Sequence, residues 1–159
     1  MRPKLGLLTS SGAPIGILYG PLQTAQGRTE THLALRSAAR DQSDTTHPYS
    51  ACSDACALYA SLVAVAAGSS TLGITKEHLA QAVTSEDISD RELRNRLKPY
   101  KAVMDWANKD PAELESSPWV INTLECALWA FFTTSNFRDG ALRAVNLGTK
   151  RVSILKGDL

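Results

Sequence analysis

The sequence predicts an all-α protein. Three observations predict it. Apolar residues recur at three- and four-residue steps through the two most hydrophobic stretches, residues 50–67 and 120–132. Capping residues and helix stoppers, Ser50 before the first and Ser135 after the second among them, border these stretches. No run of alternating polarity longer than about five residues competes for a strand assignment.

Taken in order, residues 5–20 are punctuated by glycine and followed by the polar segment PLQTAQGRTE, where Pro21 and Gly27 are expected to prevent regular structure. A helix is expected from Thr31 to about Gln42, with Leu33, Ala34 and Ala38 as its apolar face. It ends in SDTTHPYS, where Pro48 disfavours helical geometry at His47 and Ser50 offers a cap for the next helix. That helix, Ser50 to Ala67, carries Ala55, Leu58, Tyr59, Leu62, Val63 and Ala66 at helical spacing, and Gly68 stops it. Its remaining faces are rich in alanine, which lets neighbouring helices approach closely.

Thr75, with His78 in the third helical position, opens a short helix through about Val83. In the charged segment beyond it, Ser89 and Glu92 have capping-box spacing, and Pro99 is expected to interrupt the helix. Residues 108–118 form a polar connector with prolines near both ends. Val120, Ile121, Leu124, Ala127, Leu128, Phe131 and Phe132 then trace a broad apolar stripe. The last helix is expected from Ser135 to about Asn146, and Gly140 within it costs about 1 kcal/mol relative to alanine, which points to close packing against a neighbour.

Composition narrows the function classes. A chain of 159 residues with 43% hydrophobic and 21% charged residues is long enough for one domain, whole or part. The net charge of +1, with basic residues spread along the chain, argues against nucleic acid as a partner. Cys52, Cys56 and Cys126 are odd in number and lack zinc-finger spacing, so buried thiols in a reducing, intracellular and cytoplasmic setting are expected. Arg2 and Lys4 precede an apolar run that Thr9, Ser10, Ser11, Gly12 and Pro14 break, unlike a signal peptide. No window is read as approaching the roughly 18 apolar residues that a membrane span needs, so a soluble protein without a membrane partner is expected.

Three segments carry a family resemblance. INTLECALWAFFTTSNFRDGALRAVNLG, residues 121–148, has a Thr-Leu-Glu turn, an Ala-Leu-Trp-Ala helix and an Ala-Val-Asn-Leu-Gly ending. SDTTHPYSACSDACALYASLVAVAAG has a Thr-His-Pro element before an alanine-rich helix, and LTSSGAPIGILYG resembles a degenerate Asn-Gly-x-x-Met-Arg loop. In this order and spacing they resemble the ADP-ribosylglycohydrolase family, and specifically its C-terminal half. The resemblance implies an orthogonal all-α bundle around two magnesium ions that hydrolyses the bond between ADP-ribose and an acceptor, so ADP-ribose or an ADP-ribosylated protein is the implied ligand.

Magnesium requires hard oxygen ligands, which the family supplies from a Thr-Asp-Asp element and a Gly-Asp-x-Asp-Ser/Thr loop after the Asn-Leu-Gly ending. Neither stands in this sequence. Glu86-Asp87 does not match its surroundings, and the segment after Gly148 reads TKRVSILKGDL, with Lys150, Arg151 and Lys156 against Asp158. The expectation is therefore a partial helical domain over residues 5–148 with a divergent tail at 149–159, from a truncated, mis-spliced or frameshifted coding sequence, and with no metal ligands of its own. Such a chain is expected to be inactive in isolation and to need a companion chain; the alternative is a non-catalytic helical ADP-ribose-binding or relic module.

Thr46 and His47 match the position that the family turns toward ADP-ribose, the alternative being a loop histidine bonded locally. Ser10, Ser11 and Gly12, with Thr9, offer hydroxyls and N–H groups to a diphosphate. No catalytic residue is assigned. Glu125, in a strongly apolar helix, is expected to face a polar partner or to favour the helix N-terminus. Trp106, Trp119 and Trp129 are read as packing residues, with adenine stacking as the other reading, and Glu113 and Glu115 as solvated charge.

Overall fold

The computed structural model describes residues 25–67 and 75–154. Ser10, Ser11, Gly12, the stop at Gly68 and the end of the tail lie outside the described residues. Those described form seven α-helices and no strand: α1 Ala25–Asp44, α2 Ser50–Ala67, α3 Lys76–Ser85, α4 Arg91–Leu97, α5 Val103–Ala107, α6 Val120–Phe132 and α7 Phe137–Ile154, with one 3₁₀ turn at Pro111–Glu113. The all-α expectation holds.

Helix α2 is the hub. Its Ala55, Leu58 and Leu62 join the large core with Leu79, Val83, Leu93, Leu97, Trp106, Ile121, Leu124, Leu128 and Phe132. On the other side Cys56, Ala57 and Ala60 pack against Leu35 and Ala39 of α1, the close approach that its alanines favour. Tyr59 departs from the expected apolar face and is exposed. Contrary to the expectation from sequence, α2 is long and apolar enough to cross a membrane, with a mean hydropathy of 1.5 over 18 residues. Within the protein 61% of that span is buried, and it carries the buried Asp54, so here it serves as a core helix.

Helix α1 differs most from expectation. It begins at Ala25 and includes Gly27, which a helix tolerates at about 1 kcal/mol. Leu33 is 61% exposed and Ala34 is exposed as well, whereas Leu35, Arg36, Ala39 and Ser43 are buried. The register follows the arginines: His32, Arg36 and Arg40 recur every four residues, and their partners sit on α2 and after α3.

Capping chemistry sets the short helices. The Thr75 amide donates to His78 Nδ1 at 3.1 Å, as the spacing predicts. Lys76 extends its ammonium to the Phe131 and Thr134 carbonyls and so satisfies the last turn of α6. At α4 the cap is Asp90, whose Oδ1 accepts from the Leu93 amide at 2.9 Å, and not Ser89. Helix α4 ends at Leu97, two residues before Pro99, and Asp105 Oδ2 accepts the Lys101 and Ala102 amides, each at 2.9 Å, to start α5. Helix α7 is capped by Asn136 and runs to Ile154, beyond the expected end at Asn146. A Cβ on Gly140 would stand 3.1 Å from Thr134 Oγ1, which accounts for glycine where α7 meets the end of α6.

Asp90 supplies a pH-dependent contribution. Hydrogen bonds from the Leu93 amide and the Ser50 hydroxyl hold its carboxyl below the ordinary value. The folded state therefore favours the carboxylate. That contribution is fully present above the unfolded value of about 3.9 and is lost as the pH falls through the lower folded value. Asp90→Asn keeps a capping oxygen but cannot titrate, so its melting temperature should fall less steeply than the parent's between about pH 5 and pH 3. Parallel melting curves across that range would show that Asp90 is not the group responsible.

Candidate functional site at the connection between α1 and α2

The five residues after Asp44 form a tight link. The Thr46 and His47 amides donate to the Ser43 carbonyl at 3.1 and 2.8 Å, closing the end of α1. The Tyr49 amide donates to the His47 carbonyl at 2.8 Å, and the Tyr49 carbonyl receives the Cys52 and Ser53 amides at 2.9 and 3.0 Å. Ser50 thus lies inside α2 and does not cap it; its hydroxyl donates to Asp90 Oδ2 at 2.7 Å. Thr46, His47, Pro48 and Tyr49 all present their side chains to solvent, Tyr49 at 64% exposure. His47 Nδ1 lies 2.9 Å from Thr46 Oγ1, leaving Nε2 as its outward polar atom.

A buried polar layer supports this link. Asp54, 3% exposed, receives Arg40 Nε and Nη2 on Oδ1 at 3.0 and 2.6 Å, and the Asp90 amide on Oδ2 at 2.7 Å. The Ser53 hydroxyl donates to Asp44. Deeper along α1, the Arg36 guanidinium bonds Glu86, the Asp87 carbonyl and, at 3.3 Å, the Ser61 hydroxyl; His32 Nε2 lies 3.1 Å from the same Glu86. Sequence reasoning missed this layer. Its signals were the i, i+4, i+8 spacing of His32, Arg36 and Arg40, and a lone aspartate inside an alanine-rich helix.

The other singled-out residues lie elsewhere. Glu125, 2% exposed, accepts from Arg96 Nη1 and from the Tyr100 hydroxyl, each at 2.8 Å, which is the polar partnership expected of it. Burial and that carboxylate push the Tyr100 phenol well above its ordinary range. Trp106 and Trp129 are packing residues, whereas Trp119 is 41% exposed with its indole N–H 3.4 Å from Glu92. Glu113 pairs with Lys109 on the surface. None of the three cysteines is in a disulfide, only Cys56 is fully buried, and burial pushes all three thiols up, which disfavours the thiolate a nucleophile needs.

Among the described residues the carboxylates do not fit a magnesium centre. Among the described residues no group of three or more acidic, histidine or cysteine side chains converges. Asp54, Glu86 and Glu125, the carboxylates that lie inside the protein, are each already bonded to an arginine. What the link between α1 and α2 offers is exposed hydrogen-bonding groups above a hydrogen-bonded, ion-paired layer.

The ADP-ribosylglycohydrolase family profile matches residues 5–154. The chain is 34% identical over 114 residues to the ADP-ribosylarginine hydrolase Tri1 of Pseudomonas putida, covering 71% of this chain and 28% of that protein. It is 44% identical over 50 residues to the ADP-ribosylarginine hydrolase Tri1 of Serratia proteamaculans, covering 31% of this chain and 14% of that protein. The chain therefore spans less than a third of the length of either relative. No solved structure matches it. With the family profile extending over nearly the whole helical assembly, the chain belongs to the ADP-ribosylglycohydrolase family.

Proposed function

We propose that this chain supplies the ADP-ribose-holding scaffold of a hydrolase that removes ADP-ribose from arginine side chains, and that it does not hydrolyse the bond by itself. Family membership and the activity for which both relatives are named support the substrate class. The single observation that carries the binding role is the exposed Thr46–His47 link, which is anchored below by Arg40 and Asp54. His47 Nε2 and the Thr46 hydroxyl are suited to sugar hydroxyls or phosphate oxygens, and Ser10, Ser11 and Gly12 are proposed to contact the diphosphate. The inner carboxylates among the described residues are held by arginines, so a magnesium-dependent step would need acidic ligands from elsewhere, in this proposal from a companion polypeptide. Three cysteines outside any disulfide accord with the proposed reducing, cytoplasmic setting.

Calorimetric titration with ADP-ribose, with and without magnesium, tests the proposal. Binding is expected to be indifferent to magnesium, with no release of ADP-ribose from ADP-ribosylarginine. His47→Ala should weaken binding roughly tenfold, equivalent to about 1.4 kcal/mol. Magnesium-dependent turnover would refute the inactive reading, and absence of binding would refute the scaffold reading.

A further inference from the structure

We propose that Asp54 is a positioning residue that holds the Thr46–His47 link in its ligand-facing conformation; the proposal rests on the ADP-ribose reading of that link. The link is five residues long and its side chains face solvent, so packing does not fix its shape. Its backbone bonds to the Ser43 and His47 carbonyls close it locally, and the relative placement of the two helix ends sets the frame in which they form. Arg40 lies one turn before the end of α1, and Asp54 lies one turn into α2. Their bond, made by Arg40 Nε and Nη2 to one carboxylate oxygen, sets the separation of the two ends. The second oxygen of Asp54 takes the Asp90 amide at 2.7 Å, and Asp90 returns to α2 through the Ser50 hydroxyl, also at 2.7 Å. Together with the bond between Ser53 and Asp44, these contacts brace both sides of the link.

A buried carboxylate is a poor choice if cohesion alone is required, because well-packed apolar residues of similar volume hold a helix pair at least as firmly. An ion pair with defined hydrogen-bond directions instead specifies one spacing and one register. Apolar α1–α2 contacts already supply cohesion through Leu35, Ala39, Ala57 and Ala60. The function left for Asp54 is geometric.

The test compares Asp54→Asn with Glu125→Gln, an equally buried carboxylate in the polar cluster between α4 and α6, away from the link. The readouts are melting temperature, ADP-ribose affinity by titration and amide hydrogen exchange at Thr46 and His47. The expected result for Asp54→Asn is a loss of ADP-ribose affinity of at least tenfold and at least tenfold faster exchange at His47. Glu125→Gln should lower the melting temperature while leaving affinity and His47 exchange within twofold of the parent. Equal losses in both variants, or unchanged exchange at His47 in Asp54→Asn, would overturn the proposal. Should the parent bind no ADP-ribose, the functional reading fails and the exchange data alone decide the positioning role. Should Asp54→Asn fail to fold, the double variant Arg40→Met with Asp54→Leu restores apolar cohesion without the directed bonds, and the same exchange criterion applies to it.

Discussion

Trp106→Ala should lower the unfolding free energy by about 3–5 kcal/mol, a large part of the roughly 5–15 kcal/mol that holds a domain folded. Trp106 is fully buried. It stacks on Tyr100 with ring centroids 4.0 Å apart and on Phe132 at 5.3 Å, and so joins the segment after α4 to α6 through α5. Helix α5 is only five residues long, too short to persist on local hydrogen bonding, and Trp106 is its one buried residue. Removing the indole leaves a cavity and releases the anchor of the whole segment from Pro99 to the connector. Trp106→Phe is the informative companion. The indole N–H finds no acceptor among the described residues, so phenylalanine keeps a stacking ring and removes an unpaired donor. Its cost should stay under about 2 kcal/mol. Urea denaturation monitored by circular dichroism checks both, and a loss of less than about 1 kcal/mol for Trp106→Ala would remove this stack from the core.

The helices that periodicity announces are those whose buried faces are mostly apolar. In α6, Ile121, Leu124, Leu128 and Phe132 fall on the buried face as their spacing predicts, whereas Ala127 and Phe131 of the same expected stripe are exposed, and the alanines of α2 meet α1. Helix α1 escapes this reasoning because its register is set by charge. Arg36 and Arg40 resemble solvated residues, and their partners Glu86 and Asp54 are 50 and 14 residues distant, so no local pattern identifies which carboxylate each arginine meets. Spacing alone puts the cap of α4 one residue early because Ser89 and Asp90 are both good caps, and only the direction of the incoming chain chooses between them. For the candidate site, Thr46 and His47 are legible only through family resemblance, since an exposed loop histidine has no periodicity to betray it. Their support, Asp54, is visible as a single charge within an apolar helix, but its meaning depends on Arg40 and the Asp90 amide reaching it together.

Glu86→Ala is expected to cost about 3–5 kcal/mol, because it leaves the Arg36 guanidinium buried without its countercharge. Arg36 is 5% exposed, and the partners it would retain, the Ser61 hydroxyl and the Asp87 carbonyl, are neutral. Arg36→Met should cost less than Glu86→Ala. The carboxylate left behind keeps His32 Nε2 at 3.1 Å and has more contact with solvent, its side chain being 12% exposed against 6% for Arg36. The decisive variant combines Arg36→Met with Glu86→Leu. Two apolar chains of similar length remove both desolvation costs, and stability should return to within about 1 kcal/mol of the parent. Midpoints of urea denaturation for the parent, Arg36→Met, Glu86→Leu and the double variant close a double-mutant cycle, and the coupling between the sites should be at least about 2 kcal/mol. Additive losses would mean that the pair acts as two separate surface charges. Strong coupling with recovered stability would mean that α1 keeps its arginine stripe for register, the same geometric use of buried charge that Arg40 and Asp54 make one turn below the Thr46–His47 link.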